Sequence, residues 1–145
     1  MKSKIYLLVF SFVIFTTFLA NAQMQIGGET FYGNEWIDYS QDYYKINLQQ
    51  DGIYRLTYQD LNDAGVFSGA TIPTGASLKL YHLGREIPIY VTNSGTLGNG
   101  DYIEFHGLQN RGEIDAHLYE AFDHQVNPRY SMFTEVSSYF LTWNN

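Results

Sequence analysis

His106 stands before Gly107 at the end of an apolar run, Tyr102 to His106. A strand-end His-Gly is one place where a thiol peptidase can hold its general base. The imidazole must lie within hydrogen-bond reach of a thiol to make a thiolate. The chain has no cysteine, so that chemistry has no nucleophile, and the dipeptide reads as a strand-end histidine beside a turn glycine. Serine chemistry has no better footing. Ser68 and Ser94 each adjoin a glycine, but neither sits in a G-x-S-x-G after a strand, the turn that exposes a nucleophile. The four histidines, His82, His106, His117 and His124, lack H-E-x-x-H or comparable spacing for one metal. No catalytic, cofactor-binding or metal-ligating residue is therefore assigned, and this chain by itself is read as non-enzymatic.

Two further groups offer chemistry of a weaker kind. Asn99-Gly100-Asp101 and Asn110-Arg111-Gly112-Glu113-Ile114-Asp115 place oxygen side chains along loops. Calcium takes six to eight such oxygens on a flexible loop. The same residue types are what tight turns require, and the run does not follow the EF-hand order, so calcium is an alternative and no cofactor is the expectation. Trp36, Trp143 and the tyrosines could form a sugar-stacking platform, but most fall at alternating strand positions, where core packing is the default reading.

The elements that must position these residues are short strands. Thirteen Tyr and ten Phe suit pleated, half-buried surfaces. Trp36-Ile37-Asp38-Tyr39 reads as the first strand and Tyr43 to Leu48 as the second. Gln50-Asp51-Gly52 is then expected to turn the chain into Ile53 to Tyr58 as a hairpin. Thr57-x-x-Asp60 is a capping-box pattern with Gly65 at the far end, which predicts one short helix over Tyr58 to Ala64. Leu78 to Leu83 and Glu86 to Val91 read as a hairpin around Gly84-Arg85, with Pro88 suited to a sheet edge or bulge. Ser94 to Gly100 is a loop and Tyr102 to His106 a strand. Leu108 to Pro128 is polar, with a possible helical turn at Leu118, Tyr119 and Phe122, and Ser138 to Trp143 is the last strand. Short strands with one brief helix predict a mainly β fold, an antiparallel β-sandwich or jelly-roll-like domain.

Charge and the N-terminus limit where such a domain works. Lys2 and Lys4 precede the apolar run Ile5 to Leu19, and Ala20-Asn21-Ala22 supplies the small residues of a signal-peptidase site. Residues 1–22 are thus expected to be a signal peptide cut before Gln23, 23–35 a polar lead and 36–145 the β-rich domain. Export would bring the chain to the periplasm, the outer membrane or the cell surface, with no membrane span after cleavage. The chain carries fifteen acidic and eight basic residues, a net −7. A surface of that sign repels nucleic acid and anionic headgroups. The chain stops two residues after an apolar strand, so it reads as part of something longer, with that strand at an edge or domain boundary.

Several strings together resemble one family. Trp36-Ile37-Asp38-Tyr39-Ser40-Gln41 leads to Tyr43-Tyr44-Lys45-Ile46, and Asp51-Gly52-Ile53-Tyr54-Arg55-Leu56-Thr57-Tyr58 follows. Then come Leu80-Tyr81-His82-Leu83-Gly84-Arg85-Glu86-Ile87-Pro88-Ile89-Tyr90-Val91, Gly100-Asp101-Tyr102-Ile103-Glu104-Phe105, Asn127-Pro128-Arg129-Tyr130-Ser131 and Tyr139-Phe140-Leu141-Thr142-Trp143. The order resembles the region before the catalytic domain in gingipain-family peptidases of the Bacteroidetes, including the PorU-type sortases of type IX secretion. The resemblance covers Trp36 to Trp143. It implies a non-catalytic β-sandwich module, with a downstream cysteine-peptidase domain and type IX secretion components as partners in processing and surface attachment of cargo. The family's catalytic His and Cys would lie beyond Asn145, so no catalytic residue is carried over. The alternative is a free-standing extracellular module that binds glycan or protein.

Overall fold

Alternating side chains decide the architecture. The computed structural model describes residues 24–26, 29–31, 33–68, 71–127 and 129–143. The expected signal segment, residues 1–22, lies outside them. Within the polar lead, β1 (Met24–Ile26) and β2 (Glu29–Phe31) pair antiparallel, a small hairpin that its polar sequence did not announce.

The domain that follows is an antiparallel β-sandwich. One sheet contains β3 (Tyr44–Leu48), β5 (Leu78–His82), β6 (Arg85–Ile87) and β9 (Ser137–Trp143), in the order β3-β9-β5-β6. The other contains β4 (Gly52–Thr57), β7 (Tyr90–Val91) and β8 (Tyr102–Gly107), in the order β4-β8-β7. Residues two apart on a strand share a face, so Leu78 and Leu80, Ile103 and Phe105, and Tyr139, Leu141 and Trp143 all point inward and are buried. Leu80 lies opposite Leu141 and Ile46 opposite Tyr139 within one sheet, and the Phe105 ring meets Tyr139 at 5.5 Å. Trp143 is stacked on Tyr44 at 5.2 Å with the rings nearly parallel.

Among the described residues the single α-helix, α1 (Tyr58–Asp63), begins where the pattern places it. Thr57 Oγ1 accepts from the Asp60 N–H, and the Asp60 carboxylate accepts from the Thr57 N–H, so both arms of the capping box are present. Gly65, at φ +78°, ends it in the left-handed conformation that glycine adopts without a Cβ penalty.

Four expectations need correction. Asp51-Gly52 does not close a hairpin: β3 pairs with β9, and β4 pairs with β8 in the other sheet. Asp51 instead accepts from the Gln109 N–H and from the Arg111 guanidinium, so this turn carries the chain between sheets. Trp36 to Tyr39 is not a strand. Residues 33–42 fold as turns over the outer face of the first sheet. There Trp36 packs on Tyr81 and Phe140, and Thr142 Oγ1 donates to the Asp42 carbonyl. The second hairpin turns at Leu83-Gly84 rather than Gly84-Arg85, with both residues at positive φ. Its edge strand ends at Ile87, before Pro88, and Tyr90–Val91 joins the opposite sheet. Finally, the last strand is not an edge. β9 is central, paired on both sides, with Leu141 wholly buried.

Candidate functional site

β8 and β9 are joined by residues 108–136, and the described residues among them form no strand and only two short 3-10 turns, Asp115–Leu118 and Phe122–His124. This long connection lies against the end of the first sheet and leaves a groove of about 480 Å³. Its floor holds His82 from the end of β5 and Ser137 from the start of β9. Trp36, Ile114, Phe133 and Phe140 supply apolar walls, and Glu113 and Asp115 add carboxylates.

Polar latches hold the connection in place. Asp51 fixes its start through Gln109 and Arg111, and these bonds, the Gln109 N–H first, keep the Asp51 carboxyl below the usual carboxylate range. Asn110 Oδ1 accepts from the Gly112 N–H at 2.9 Å, and the Asn110 N–H donates to the Glu135 carbonyl at 3.0 Å. Asp115, 7% exposed, ties the two legs together: its Oδ2 accepts from Ser131 Oγ and from the Met132 N–H, both at 2.7 Å. The Tyr139 hydroxyl reaches up from the core to accept from the Leu108 N–H at 2.8 Å, and burial raises its pKa.

The floor superficially resembles a catalytic pair. His82 Nδ1 is 3.1 Å from the Ser138 carbonyl, and Nε2 is 3.5 Å from Ser137 Oγ. A carbonyl only accepts, so Nδ1 carries the proton and Nε2 faces the serine hydroxyl. The His82 ring is stacked on Tyr139 at 4.2 Å. The third partner is thus a backbone carbonyl, whereas a Ser-His-Asp site orients its imidazole with a carboxylate. Asp115, the buried carboxylate in the groove, is bonded to Ser131 and Met132 instead, and Ser137 is only 4% exposed. The geometry is that of strand-end packing.

The other singled-out residues are dispersed. His106 is exposed on β8, opposite Ile53, while Gly107 has a packing role: a Cβ there would come within 2.3 Å of Leu48 and 2.8 Å of Tyr54. Ser68 and Ser94 lie in turns, His124 lies in the second 3-10 turn, and the His117 side chain lies outside the described residues. In the first oxygen-rich loop, Asp101 accepts from Asn93 Nδ2, from the Gly98 N–H and from Thr92 Oγ1, and these bonds, Asn93 first, lower its pKa. In the second, Glu113 accepts from the Arg111 N–H. These oxygens therefore serve turns, and among the described residues no three His, Cys, Asp or Glu side chains gather as a metal site. Trp143 is buried, whereas Trp36 reaches the groove.

The groove joins residues from four separate stretches of chain. Phe133 and Ser137 had no motif to mark them. Among the described residues, no helix is long and apolar enough to cross a membrane. No family model, curated protein or solved structure matches the chain.

Proposed function

We propose that this domain is the non-catalytic N-terminal module of a gingipain-type sortase of type IX secretion, an exported partner of a cysteine-peptidase domain. The observation that carries the reading is the ordered set of strings from Trp36 to Trp143. Compatible with it are an antiparallel sandwich of the kind the resemblance implies and a chain without cysteine. In this role the module contributes binding and packing, and the chemistry resides in the peptidase domain.

The coding sequence past codon 145 tests the proposal directly. A caspase-like domain with a strand-end His-Gly and a later cysteine supports it. A stop codon at 146 overturns it and leaves the second reading, a free-standing surface module for glycan or protein. That second reading has its own support in the groove walled by Trp36, Phe133 and Phe140.

A further inference from the structure

We propose that the groove between the 108–136 connection and the His82 end of the first sheet binds a peptide segment with a lysine or arginine next to a bulky apolar residue. This rests on the groove alone and stands or falls separately from the peptidase-module reading.

Size and lining narrow the class of ligand. A volume of about 480 Å³ lies within the range of small-ligand pockets, about 300–1,000 Å³, and accommodates two or three side chains. Its walls are apolar, and the rim residues Ile114, Leu118 and Phe133 are 50%, 66% and 73% exposed. Large apolar side chains gathered on a surface mark interaction sites.

Charge selects further. The groove is lined by Glu113 and Asp115 and by no lysine or arginine. Arg111, beside it in sequence, is turned away to Asp51. Asp115 is more than nine-tenths buried, yet only Oδ2 has partners; Oδ1 has no hydrogen-bond partner among the described residues. A carboxylate this buried gains from a further donor, and from a charged one most. An ammonium or guanidinium supplies that donor and its charge together, and Trp36 or Phe140 can receive the cation on a ring face. Anionic ligands are repelled by the same pair, and a neutral sugar leaves the charge unmet.

The test is an NMR titration of the purified chain with two blocked tetrapeptides, Gly-Lys-Phe-Gly and Gly-Glu-Phe-Gly. Amide shifts should move at Glu113, Asp115 and Ser137, with the lysine peptide binding at least about tenfold tighter. Glu113→Gln keeps the acceptor for the Arg111 N–H and removes the charge. It should weaken the lysine peptide about two- to fivefold. Phe133→Ala should weaken it about tenfold. Asp63→Asn, which removes an equal charge outside the groove, should change nothing. No binding of either peptide at millimolar concentration would overturn the proposal, as would equal binding of both. An equal loss in Glu113→Gln and Asp63→Asn would reduce it to general attraction by an acidic protein. Tighter binding of a neutral oligosaccharide, indifferent to Glu113→Gln, would assign the groove to glycan instead.

Discussion

β9 and the connection that leads into it treat apolar side chains in opposite ways. On β9, Tyr139, Leu141 and Trp143 are at most 6% exposed, closed in by strands on both sides and by the opposite sheet. A few residues earlier, Leu118, Met132 and Phe133 are all at least 65% exposed. Burial holds the strand. Carboxylates and amides hold the connection, through Asp51, Asn110 and Asp115. The difference shows how one chain makes both a packed scaffold and an apolar surface: the scaffold spends its apolar groups on itself, and the latched connection leaves its own exposed.

The sharpest way to break the comparison is to cut into the scaffold. Leu141→Ala removes a wholly buried side chain from the central strand. Denaturant unfolding should show a loss of about 2–5 kcal/mol, the usual cost of a large-to-small change in a core. Since a domain has about 5–15 kcal/mol in total, much of the protein would be unfolded at moderate denaturant. A loss below about 1 kcal/mol would mean that β9 is not the core strand described above.

Gly107→Ala comes next. The added methyl presses on Leu48 Cδ1 and the Tyr54 ring, and overpacking of this kind costs about 1–3 kcal/mol. His106→Ala, one residue earlier on the exposed face, should stay within about 0.5 kcal/mol. The pair separates a packing role of His-Gly from a chemical one. Thr57→Ala, which removes one arm of the capping box and the acceptor for the Asp60 N–H, should cost about 1 kcal/mol.

The same division explains what was legible in the residues alone. Strands whose inward residues alternate, such as Tyr102 to Gly107, and the helix set by Thr57 and Asp60 were readable, because their causes are local. Asp51-Gly52 misled because a turn that changes sheets uses the same residues as one that closes a hairpin. Only the partners of β3 and β4, nearly a hundred and about fifty residues away, tell them apart. Trp36 to Tyr39 misled because aromatics that cover a sheet from outside look like aromatics within one. The groove was not legible: Trp36, His82, Asp115 and Phe133 meet through three-dimensional packing, with no period or motif linking them.

The latch should respond to acid before the scaffold does. The folded Asp51 carboxyl titrates below its ordinary value, held down first by the Gln109 N–H and then by Arg111. A depressed carboxyl contributes stability above its unfolded pKa, about 3.9, and loses it as pH falls through the lower folded value. Below about pH 4, the Gln109 amide should therefore lose hydrogen-exchange protection while β9 amides keep theirs. Asp51→Ala, which removes the acceptor for the Gln109 N–H, should reproduce that loss at neutral pH, with little change in the unfolding midpoint. Simultaneous loss at Gln109 and β9 would show that connection and scaffold are one cooperative unit.

The smallest expected change in stability tests the other half of the contrast. Leu118 and Phe133 project into solvent from a connection that polar bonds hold in place, so the double change Leu118→Ser, Phe133→Ser deprives the core of nothing. Its unfolding free energy should match the parent within about 0.5 kcal/mol. Its surface should nevertheless change, because these two side chains border the groove and contribute to the exposed apolar area there. Apolar patches of a few hundred Å² bind hydrophobic dyes and promote association. The parent should bind such a dye, and the double variant should bind markedly less at the same melting temperature. If the variant instead melted several degrees lower, these residues would belong to the core, and the connection would be held by burial in the same way as the strand it precedes.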